Sequence, residues 1–390
     1  MKWNVFSEQD KETNARTGFF SNNAADKVIC KTPHCILVTS RGSLPHVTND
    51  VLSEFPCLGL QLETFDFLWL NSNSKLKGSD ILREFGAGMH EYCQLQPHPL
   101  YLSFVSQQQV DKITFSAKRQ QFHAYQRGNT ITFSWSDYLE LVQTSYCDMV
   151  ECPSVVTKDD SKNGGVWDSN RLQRDCEQST QLQYEFIQQW SQQHGPSFEQ
   201  SMCIGVVQGG MKEEQRRRHA QSISQLNGIG GFYIDVLPAK LTEQQKLASI
   251  SISNLPPWLP RGMEASGSLE QVLALVGCGV DYFISSYPYI LSTHGYALDL
   301  PHKNNLWNIQ YRNNTDPLSL HCSCPVCRRY TRAYLNHLLN THEMLAMTLL
   351  MIHNSAQYIQ FFHQIQQAIE TKTFGAFQKQ FLASRRVDDS

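Results

Sequence analysis

The chain of 390 residues has no excess of basic charge, since it holds 33 Lys and Arg against 36 Asp and Glu, a net charge of −3. A protein that binds nucleic acid by charge alone needs a strongly basic balance, so that class is excluded. The charges are unevenly placed, because residues 301–390 contain nine basic and five acidic residues, a balance of +4. Only this C-terminal quarter is expected to attract polyanions.

Segments for membrane insertion or secretion are missing as well. The N-terminus has no apolar run of signal-peptide length. The uncharged stretch 344–369 is long enough to span a bilayer, but it contains His353, Asn354 and five Gln, which are costly in hydrocarbon. Most of the twelve Cys are scattered singly. Without a secretion signal, this usage predicts a reduced, cytoplasmic protein in which a Cys cluster binds metal rather than forming disulfides.

Short β-rich runs alternate with longer helical stretches over the first 300 residues. Several runs are nearly continuous in hydrophobic residues, as expected of parallel strands that are covered on both faces. The predicted strands are Cys35–Thr39, Phe65–Leu70, Leu100–Val105, Thr130–Ser134, Met202–Val207, Phe232–Leu237 and Val280–Ser285. Thr242 and Ser268, each followed three residues later by Gln, predict helix N-termini with capping boxes. This alternation predicts an α/β fold, and the number of units favours a (β/α)8 barrel.

The pattern changes near residue 301, where strand signals end, a Cys cluster appears and helices follow. We therefore expect a barrel core at 1–300, a metal-binding helical subdomain at 301–354 and C-terminal helices at 355–390 that pack on the barrel. The last segment carries one apolar stripe at helical spacing, formed by Tyr358, Phe361, Phe362, Ile365 and Ile369. We interpret this stripe as a face that packs against the barrel, in preference to a face that binds a partner.

Three cysteines and one histidine have the spacing of a metal site. Cys322, Cys324 and Cys327 form C-x-C-x-x-C, and His353 follows 26 positions after the last of them. Three thiolates and one imidazole fill a tetrahedral zinc shell with no open position, which is typical of a structural site. A single helix over 328–353 would place His353 ~39 Å from the cluster at 1.5 Å per residue, so the chain must turn back.

Asn340-Thr341 offers that turn, because Asn tolerates a left-handed helix end and Thr is a good N-cap. His321, His337 and His342 are rival ligands: the first adjoins a cysteine, and the others lie partway along or at the far end of the hairpin. The alternative without metal is three reduced thiols packed in a small core. We predict one structural Zn²⁺ per subunit, held by the three cysteines and His353.

The cysteine cluster, its histidine and the hexapeptide Gly205–Gly210, read as G-V-V-Q-G-G, resemble the tRNA-guanine transglycosylase family. Gly279-Val280-Asp281 also looks like a stretch of that family. The resemblance runs from Thr32-Pro33 to the cysteine hairpin, which is most of the chain. It implies a zinc-containing (β/α)8 barrel that exchanges a guanine base in tRNA for queuine or a queuine precursor.

For catalytic members, the resemblance implies a carboxylate nucleophile that attacks the ribose C1′ and forms a covalent enzyme–RNA intermediate. That nucleophile is the Asp directly after Gly-Val-Asp-x-Phe, and here the position holds Ile284. An aliphatic side chain cannot perform this step. Asp281 lies three residues earlier, which on a strand is the opposite face, so we expect it to be structural.

Other residues that the resemblance would require are also missing. The segment aligned with the base-reading Asp motif is 102–107, which contains no acid and no glycine pair. The stretch after Cys147–Val150 offers no clean match to the second base-contacting Asp, and Asp235-Val236 replaces a Gly-Gly. Tyr289–Ser292 replaces a loop containing Thr-Arg. The Gln208-Gly209-Gly210 loop is therefore interpreted as a retained strand-to-helix turn, in preference to a residual queuine site.

These losses imply a non-catalytic subunit that pairs with a catalytic paralogue in a heterodimeric queuine tRNA-ribosyltransferase. Such an enzyme acts at wobble position 34 of tRNAs with GUN anticodons, those for Asp, Asn, His and Tyr. The resemblance also implies tRNA binding through the complex, a homodimer as a possibility in isolation, and peripheral association with the mitochondrial outer membrane. Two alternatives stay open: an active transglycosylase with relocated acids, and a stand-alone zinc RNA-binding protein.

Basic side chains next to the cysteine cluster are the candidates for RNA contact. Arg328, Arg329 and Arg332 could bind phosphate, although a solvated helix face would have the same composition. The run Arg216-Arg217-Arg218 is interpreted as a solvated helix side.

Overall fold

A computed structural model describes most of the chain, in eleven segments. These are residues 1–5, 13–21, 28–56, 58–68, 77–104, 113–116, 121–126, 129–155, 169–192, 200–236 and 240–386. No helix within these segments combines the length and apolar content needed to cross a bilayer.

The strands are short, and most belong to one barrel. In chain order they are β1 Lys2–Val5, β2 Gly18–Ser21, β3 Val28–Thr32, β4 His34–Val38, β5 Gly59–Glu63, β6 Leu100–Ser103, β7 Ile113–Ser116, β8 Gln121–Gln126, β9 Asn129–Ser134, β10 Met149–Glu151, β11 Met202–Val207, β12 Gly231–Ile234, β13 Arg261–Glu264, β14 Tyr282–Ser285, β15 Tyr296–Asp299 and β16 His302–Asn305.

Helices separate the barrel strands and form the C-terminal region. They are α1 Asn49–Leu52, α2 Thr64–Phe67, α3 Gly78–Phe85, α4 Gly88–Tyr92, α5 Trp135–Ser145, α6 Ser169–Gln192, α7 Glu213–Ser224, α8 Leu241–Ile252, α9 Leu269–Cys278, α10 Tyr287–Thr293, α11 Arg332–Asn340, α12 Met344–Glu370 and α13 Phe374–Arg386.

Eight parallel strands close into a barrel in the order β10-β11-β12-β13-β14-β4-β5-β6. This confirms the predicted (β/α)8 fold. Met1, which precedes β1, and Phe20 and Cys30 of the antiparallel sheet β1-β2-β3 belong to the apolar cluster inside the barrel, and β7-β8-β9 form a separate side sheet. The interior is filled by side chains, so the barrel is a packed core rather than a pore.

Inward-facing polar or glycine residues explain two of the strand predictions that fail; β10 was also missed, and the strand predicted at Thr130–Ser134 is β9 of the side sheet. The strand predicted at Phe65–Leu70 is wrong: the strand is β5 and the helix α2 begins at Thr64, because buried Gln61 on the inner face interrupts the apolar run. β13 was missed since it contains Gly262, where a Cβ would lie 2.0 Å from Cε2 of Tyr282. The ring of Tyr282 thus occupies the space that a side chain on β13 would need.

One of the two predicted helix caps is present. The Ser268 hydroxyl accepts a hydrogen bond from the backbone N–H of Gln271 at the start of α9, but the predicted capping box is incomplete, because the Gln271 side chain accepts from the Gly267 N–H instead. The prediction for Thr242 is wrong, since α8 begins at Leu241 and has Lys240 as its N-cap.

The C-terminal helices lie against the barrel. The apolar stripe of α12 is buried, with the Phe362 ring centroid 5.7 Å from that of Phe283 on β14. The Tyr358 hydroxyl donates a hydrogen bond to Ser285 Oγ at 3.1 Å. Because α12 runs continuously from 344 to 370, it crosses the boundary expected at residue 354, and the division into three parts stays a prediction.

Candidate metal centre and barrel mouth

Four potential metal ligands meet between the C-terminal helices and the β15-β16 hairpin. The ligand atoms of Cys322, Cys324, Cys327 and His353 all lie within 4.8 Å of one another. Nδ1 of His353 is 3.3 Å from Sγ of Cys327 and 3.7 Å from Sγ of Cys324. A tetrahedral zinc ion with ordinary bond lengths would hold a sulfur and a nitrogen ~3.5 Å apart. The cluster can therefore hold one metal ion, and its donor set fits zinc.

The histidine is oriented for this role by its second nitrogen. Nε2 of His353 lies 2.6 Å from the backbone carbonyl oxygen of Leu298 on β15. A proton on Nε2 donates to that carbonyl and leaves the Nδ1 lone pair directed at the three sulfurs. Burial alone would lower the pKa of His353, but the sulfurs of Cys322 and Cys324 raise it to about 9. The same sulfurs favour any cation placed among them, so a metal ion competes with that proton.

The hairpin that returns His353 to the cysteines forms as predicted, with different turn residues. α11 ends at Asn340 with Thr341 as its C-cap, while Glu343 is the N-cap of α12. The left-handed residue is His342, with φ +57°, rather than Asn340. Thr341 is thus not an N-cap.

The rival histidines lie outside the cluster. His321, His337 and His342 are exposed, and the His342 ring packs 6.1 Å from that of Trp307. Within the described part of the chain, His353 alone joins the three cysteines in a group that could hold an ion.

Asn354, the residue after the histidine, connects the metal centre to the barrel. Its carboxamide oxygen accepts from the Leu298 N–H at 2.8 Å, and its nitrogen donates to Tyr296 O at 2.9 Å and Ser292 Oγ at 3.0 Å. Sequence reasoning missed the role of this fully buried residue; the available signal was a polar Asn directly after a candidate ligand His within the uncharged stretch 344–369. Two consecutive residues of α12 therefore fix the segment 292–298 that follows the last barrel strand.

The three arginines next to the cluster have different surroundings. Arg328 and Arg329 are exposed. Arg332 is largely buried, forms an ion pair with Asp299 at 3.2 Å, donates to Leu318 O at 3.0 Å and lies over the Tyr311 ring. Arg332 was predicted as a candidate for RNA contact, but its guanidinium is bonded to Asp299 and Leu318 within the protein.

At the C-terminal mouth of the barrel, the position of the expected nucleophile is apolar. Ile284 is 3% exposed and packs in the interior cluster with Tyr101, Tyr233 and Tyr282. Asp281, three residues earlier, is fully buried outside this cluster, where it pairs with Arg16 at 2.5 Å. The prediction that Asp281 is structural agrees with this geometry.

The segment aligned with the base-reading motif also lacks reactive groups where the structure describes it. Leu102 and Phe104 point into the outer core, and the Ser103 hydroxyl donates to Leu62 O at 3.2 Å. Residues 105–107 lie outside the described residues.

The loop at Gln208–Gly210 is held by internal contacts. The Gln208 carboxamide accepts from Ser179 Oγ at 2.7 Å and donates to Val155 O at 2.9 Å, and its backbone N–H donates to His219 Nδ1. Gly209 has φ +140°, and a Cβ there would lie 2.6 Å from the backbone nitrogen of Arg216. With its side chain 2% exposed, Gln208 has little capacity left for a base.

Arg216 corrects the interpretation of 216–218 as a solvated helix side. Arg217 and Arg218 are exposed and pair with Glu214, as that interpretation requires. Arg216 is fully buried and donates to Gly210 O and Asp235 O, each at 2.8 Å. Burial lowers its pKa to about 10, and the nearby Asp235 carboxylate opposes this shift.

Fold and cluster define a (β/α)8-barrel protein with a Cys3His cluster, after the last barrel strand, that could hold a metal ion. The sequence model of the queuine tRNA-ribosyltransferase family matches residues 10–387, so the chain belongs to this family. Its role is therefore related to tRNA-guanine transglycosylation, a modification of tRNA.

The similarity to curated relatives extends over different fractions of the chain. It is 25% identical to the proteins named queuine tRNA-ribosyltransferase accessory subunit 2 of Homo sapiens and Pongo abelii, over 87% of this chain and 89% of theirs. It is 33% identical to the queuine tRNA-ribosyltransferase of Thermotoga neapolitana, over 46% of this chain and 49% of that protein. The similarity to the accessory subunits thus covers nearly the whole chain, whereas that to the bacterial protein covers about half.

Proposed function

We propose that the chain is the non-catalytic subunit of a heterodimeric queuine tRNA-ribosyltransferase. Its catalytic paralogue exchanges guanine for queuine at wobble position 34 of tRNAs with GUN anticodons, those for Asp, Asn, His and Tyr. The observation that carries this proposal is Ile284, a buried aliphatic residue where the reaction needs an ionised carboxylate. The resemblance to proteins named as accessory subunits supports the same conclusion.

Among the carboxyl groups at the barrel mouth, that of Glu151 is the candidate for a relocated acid in an active enzyme. Glu151 ends β10 at the C-terminal side of the barrel, where enzymes of this fold place their catalytic groups. It is 2% exposed, its Oε2 accepts from the Tyr101 hydroxyl at 3.0 Å, and burial raises its pKa to about 8. A nucleophile must be ionised and accessible. Glu151 is buried and its raised pKa disfavours the ionised form near pH 7, so we retain the non-catalytic role.

We assign one structural Zn²⁺ to the Cys3His cluster. Four protein ligands leave no open position for water or substrate, so the ion would supply stability rather than chemistry. By holding His353 against Leu298, it would keep α12 and the segment 292–298 in their relative positions.

The contact with the catalytic subunit is placed on the exposed apolar side chains of the metal hairpin. Ile309, Leu320 and Met344 are 74%, 72% and 84% exposed. The 3₁₀ turn that carries Ile309 is tied to α11 by the Asn336 carboxamide, which donates to Leu306 O and Asn308 O. Such side chains suit the core of a stable interface. In isolation the same surface could pair two copies of this chain.

Changing Ile309 to Asp is expected to weaken the heterodimer by about tenfold or more, since truncating or charging a central apolar contact costs ~2 kcal/mol. Affinity between the purified subunits measures this. Trp258, which is 66% exposed in the loop before β13, provides the control, and Trp258→Asp should leave the affinity unchanged. Equal loss in both variants would contradict this placement of the interface.

Contact with tRNA is assigned to the outside of the metal hairpin rather than to the barrel mouth. Besides the largely neutral Glu151, carboxyl groups stand at the C-terminal ends of three barrel strands, on Glu63, Asp235 and Glu264. An acidic mouth disfavours the phosphate backbone, whereas Arg328 and Arg329 offer exposed positive charge. We place the assembly in the cytoplasm, a reducing compartment that suits the described cysteines, which form no disulfide, and any association with the mitochondrial outer membrane would be peripheral.

Exchange of labelled guanine in a GUN-anticodon tRNA tests the proposed function. The chain alone should show no exchange, and addition of the catalytic paralogue should produce it. Glu151→Gln should leave the exchange by the heterodimer unchanged, because Gln can still accept from Tyr101. Exchange by the chain alone, or its loss in Glu151→Gln, would establish an active enzyme. Failure to bind the paralogue would favour a stand-alone RNA-binding protein.

A further inference from the structure

A cavity of about 320 Å³ lies beside the metal cluster. Its walls come from three segments: residues 51–56 around the end of α1, residues 321–328 of the metal hairpin, and residues 352–360 of α12. Cys322 and Cys324 contribute to the wall, but Cys327 and His353 do not, so the cavity lies to one side of the position of the ion. Its volume is within the range of pockets that enclose small organic ligands.

Gln357 gives this cavity an unusual feature. The residue is 5% exposed and lines the cavity, yet its carboxamide has no hydrogen-bond partner among the residues that the structure describes. Gln366 on the same helix is 8% exposed and donates to Lys31 O and Pro33 O, as a buried amide should. Since no described protein group occupies its hydrogen-bonding positions, the Gln357 amide is available at the cavity wall to a ligand with donors and acceptors.

The remaining walls indicate the chemistry of that ligand. Arg328 and His321 are exposed at the cavity and can donate to an anionic group, while Phe55 offers an apolar ring and Glu54 can accept hydrogen bonds. Planar bases are recognised by an apolar or aromatic face and by amide or carboxylate groups at their edges, and phosphates by arginine. The exposed apolar residues Ile309 and Met344 do not line this cavity. Because these exposed apolar side chains lie outside the cavity, the cavity is better suited to a polar ligand than to a segment of a protein partner.

We propose that the cavity binds one unpaired nucleotide, with its base at Gln357 and its phosphate at Arg328. The nucleotide could belong to a tRNA or be a free mononucleotide, since both present the same groups. The tRNA source rests on the function proposed above, whereas binding of a free nucleotide does not.

Two matched pairs of variants test the site. Arg328→Ala and Arg329→Ala each remove one exposed charge next to the cluster, but only Arg328 lines the cavity. Gln357→Leu removes the unpaired amide at nearly constant volume, and Gln367→Leu changes an exposed Gln on the same helix. Melting temperatures of all four confirm that each variant is folded.

Affinity for a GUN-anticodon tRNA is measured by fluorescence anisotropy, with the chain alone and with its catalytic paralogue. Gln357→Leu is expected to bind about five- to tenfold more weakly, and Arg328→Ala more weakly than Arg329→Ala. AMP, GMP, CMP and UMP are titrated separately. If a mononucleotide competes with tRNA for binding, the cavity also binds free nucleotides. If tRNA binds and no mononucleotide competes with it, the cavity binds a nucleotide only as part of the tRNA.

Three results would overturn the proposal. If Arg328→Ala and Arg329→Ala weaken tRNA binding equally while Gln357→Leu leaves it unchanged, the arginines bind tRNA at the surface and the cavity does not take part. If Gln357→Leu weakens binding of the paralogue instead of RNA, the cavity belongs to a protein interface. If no mononucleotide binds and Gln357→Leu and Arg328→Ala both keep the tRNA affinity of the unaltered chain while the heterodimer is active, the nucleotide site is wrong and the proposed function stands.

Discussion

Replacing Cys324 with Ser is expected to remove the bound metal and destabilise the C-terminal hairpin by several kcal/mol. Cys324 is 8% exposed, its Sγ lies 3.7 Å from Nδ1 of His353, and it accepts a hydrogen bond from the Cys327 N–H at 3.4 Å. A hydroxyl is a poor zinc ligand, and structural zinc contributes ~10–16 kcal/mol of binding free energy in small zinc domains. Part of that stability remains here because α12 also packs on the barrel.

Bound metal per chain and hydrogen exchange measure the effect. Zinc content should fall from one ion per chain to none, and amides of 321–340 should exchange faster. The segment 292–298 should loosen as well, because His353 and Asn354 hold it through Leu298. Cys93→Ser is the control, since this half-buried thiol lies outside the cluster. Retention of the ion and of slow exchange in Cys324→Ser would contradict the assignment of Cys324 as a ligand.

The spacing of the ligands was sufficient to predict which residues meet, but not how the chain turns. Sequence distance required a return between Cys327 and His353, and α11 and α12 provide it. The details of the turn depend on tertiary packing: His342 takes the left-handed conformation with its ring near Trp307. Local propensity favoured Asn340 for the left-handed position, because a contact with Trp307, which is distant in sequence, does not enter a local propensity.

The barrel was predicted from nearly continuous hydrophobic runs, and two of the errors arise on its inner face. β11 is apolar on both faces, and its predicted and observed bounds are identical. β5 and β13 instead place Gln61 and Gly262 inside, where their neighbours are determined by strands far away in sequence. A single sequence does not reveal that the Tyr282 ring fills the space above Gly262.

Charged residues show the same limit. Arg216 and Arg332 stand in basic runs that resemble solvent-exposed helix faces, yet each places its guanidinium against backbone carbonyls of distant segments. Arg217, Arg218, Arg328 and Arg329, their neighbours in sequence, are exposed. Composition alone therefore could not separate arginines that hold the fold from those available to RNA.

Asp281→Ala is expected to lower the free energy of unfolding by ~3–5 kcal/mol, because it leaves the buried guanidinium of Arg16 without its counter-ion. Asp281 accepts from Arg16 Nε at 2.7 Å, from Arg16 Nη2 at 2.5 Å and from the Arg261 N–H at 2.8 Å. Arg16 also donates to the carbonyls of Pro257 and Leu259, so this pair joins the segment before β2 to the start of β13 and β14. Denaturant unfolding measures the loss.

The same variant separates a structural Asp281 from a chemical one. Arg16→Met combined with Asp281→Leu should recover part of the stability, since it removes both buried charges together. Asp80→Ala breaks the exposed pair with Arg83 and should change stability by less than ~0.5 kcal/mol. If Asp281 only supports the fold, the heterodimer that contains the folded variant should exchange guanine at the normal rate. Normal stability with lost exchange would instead identify Asp281 as a catalytic acid. The chain would then be catalytic even though Ile284 stands at the expected nucleophile position.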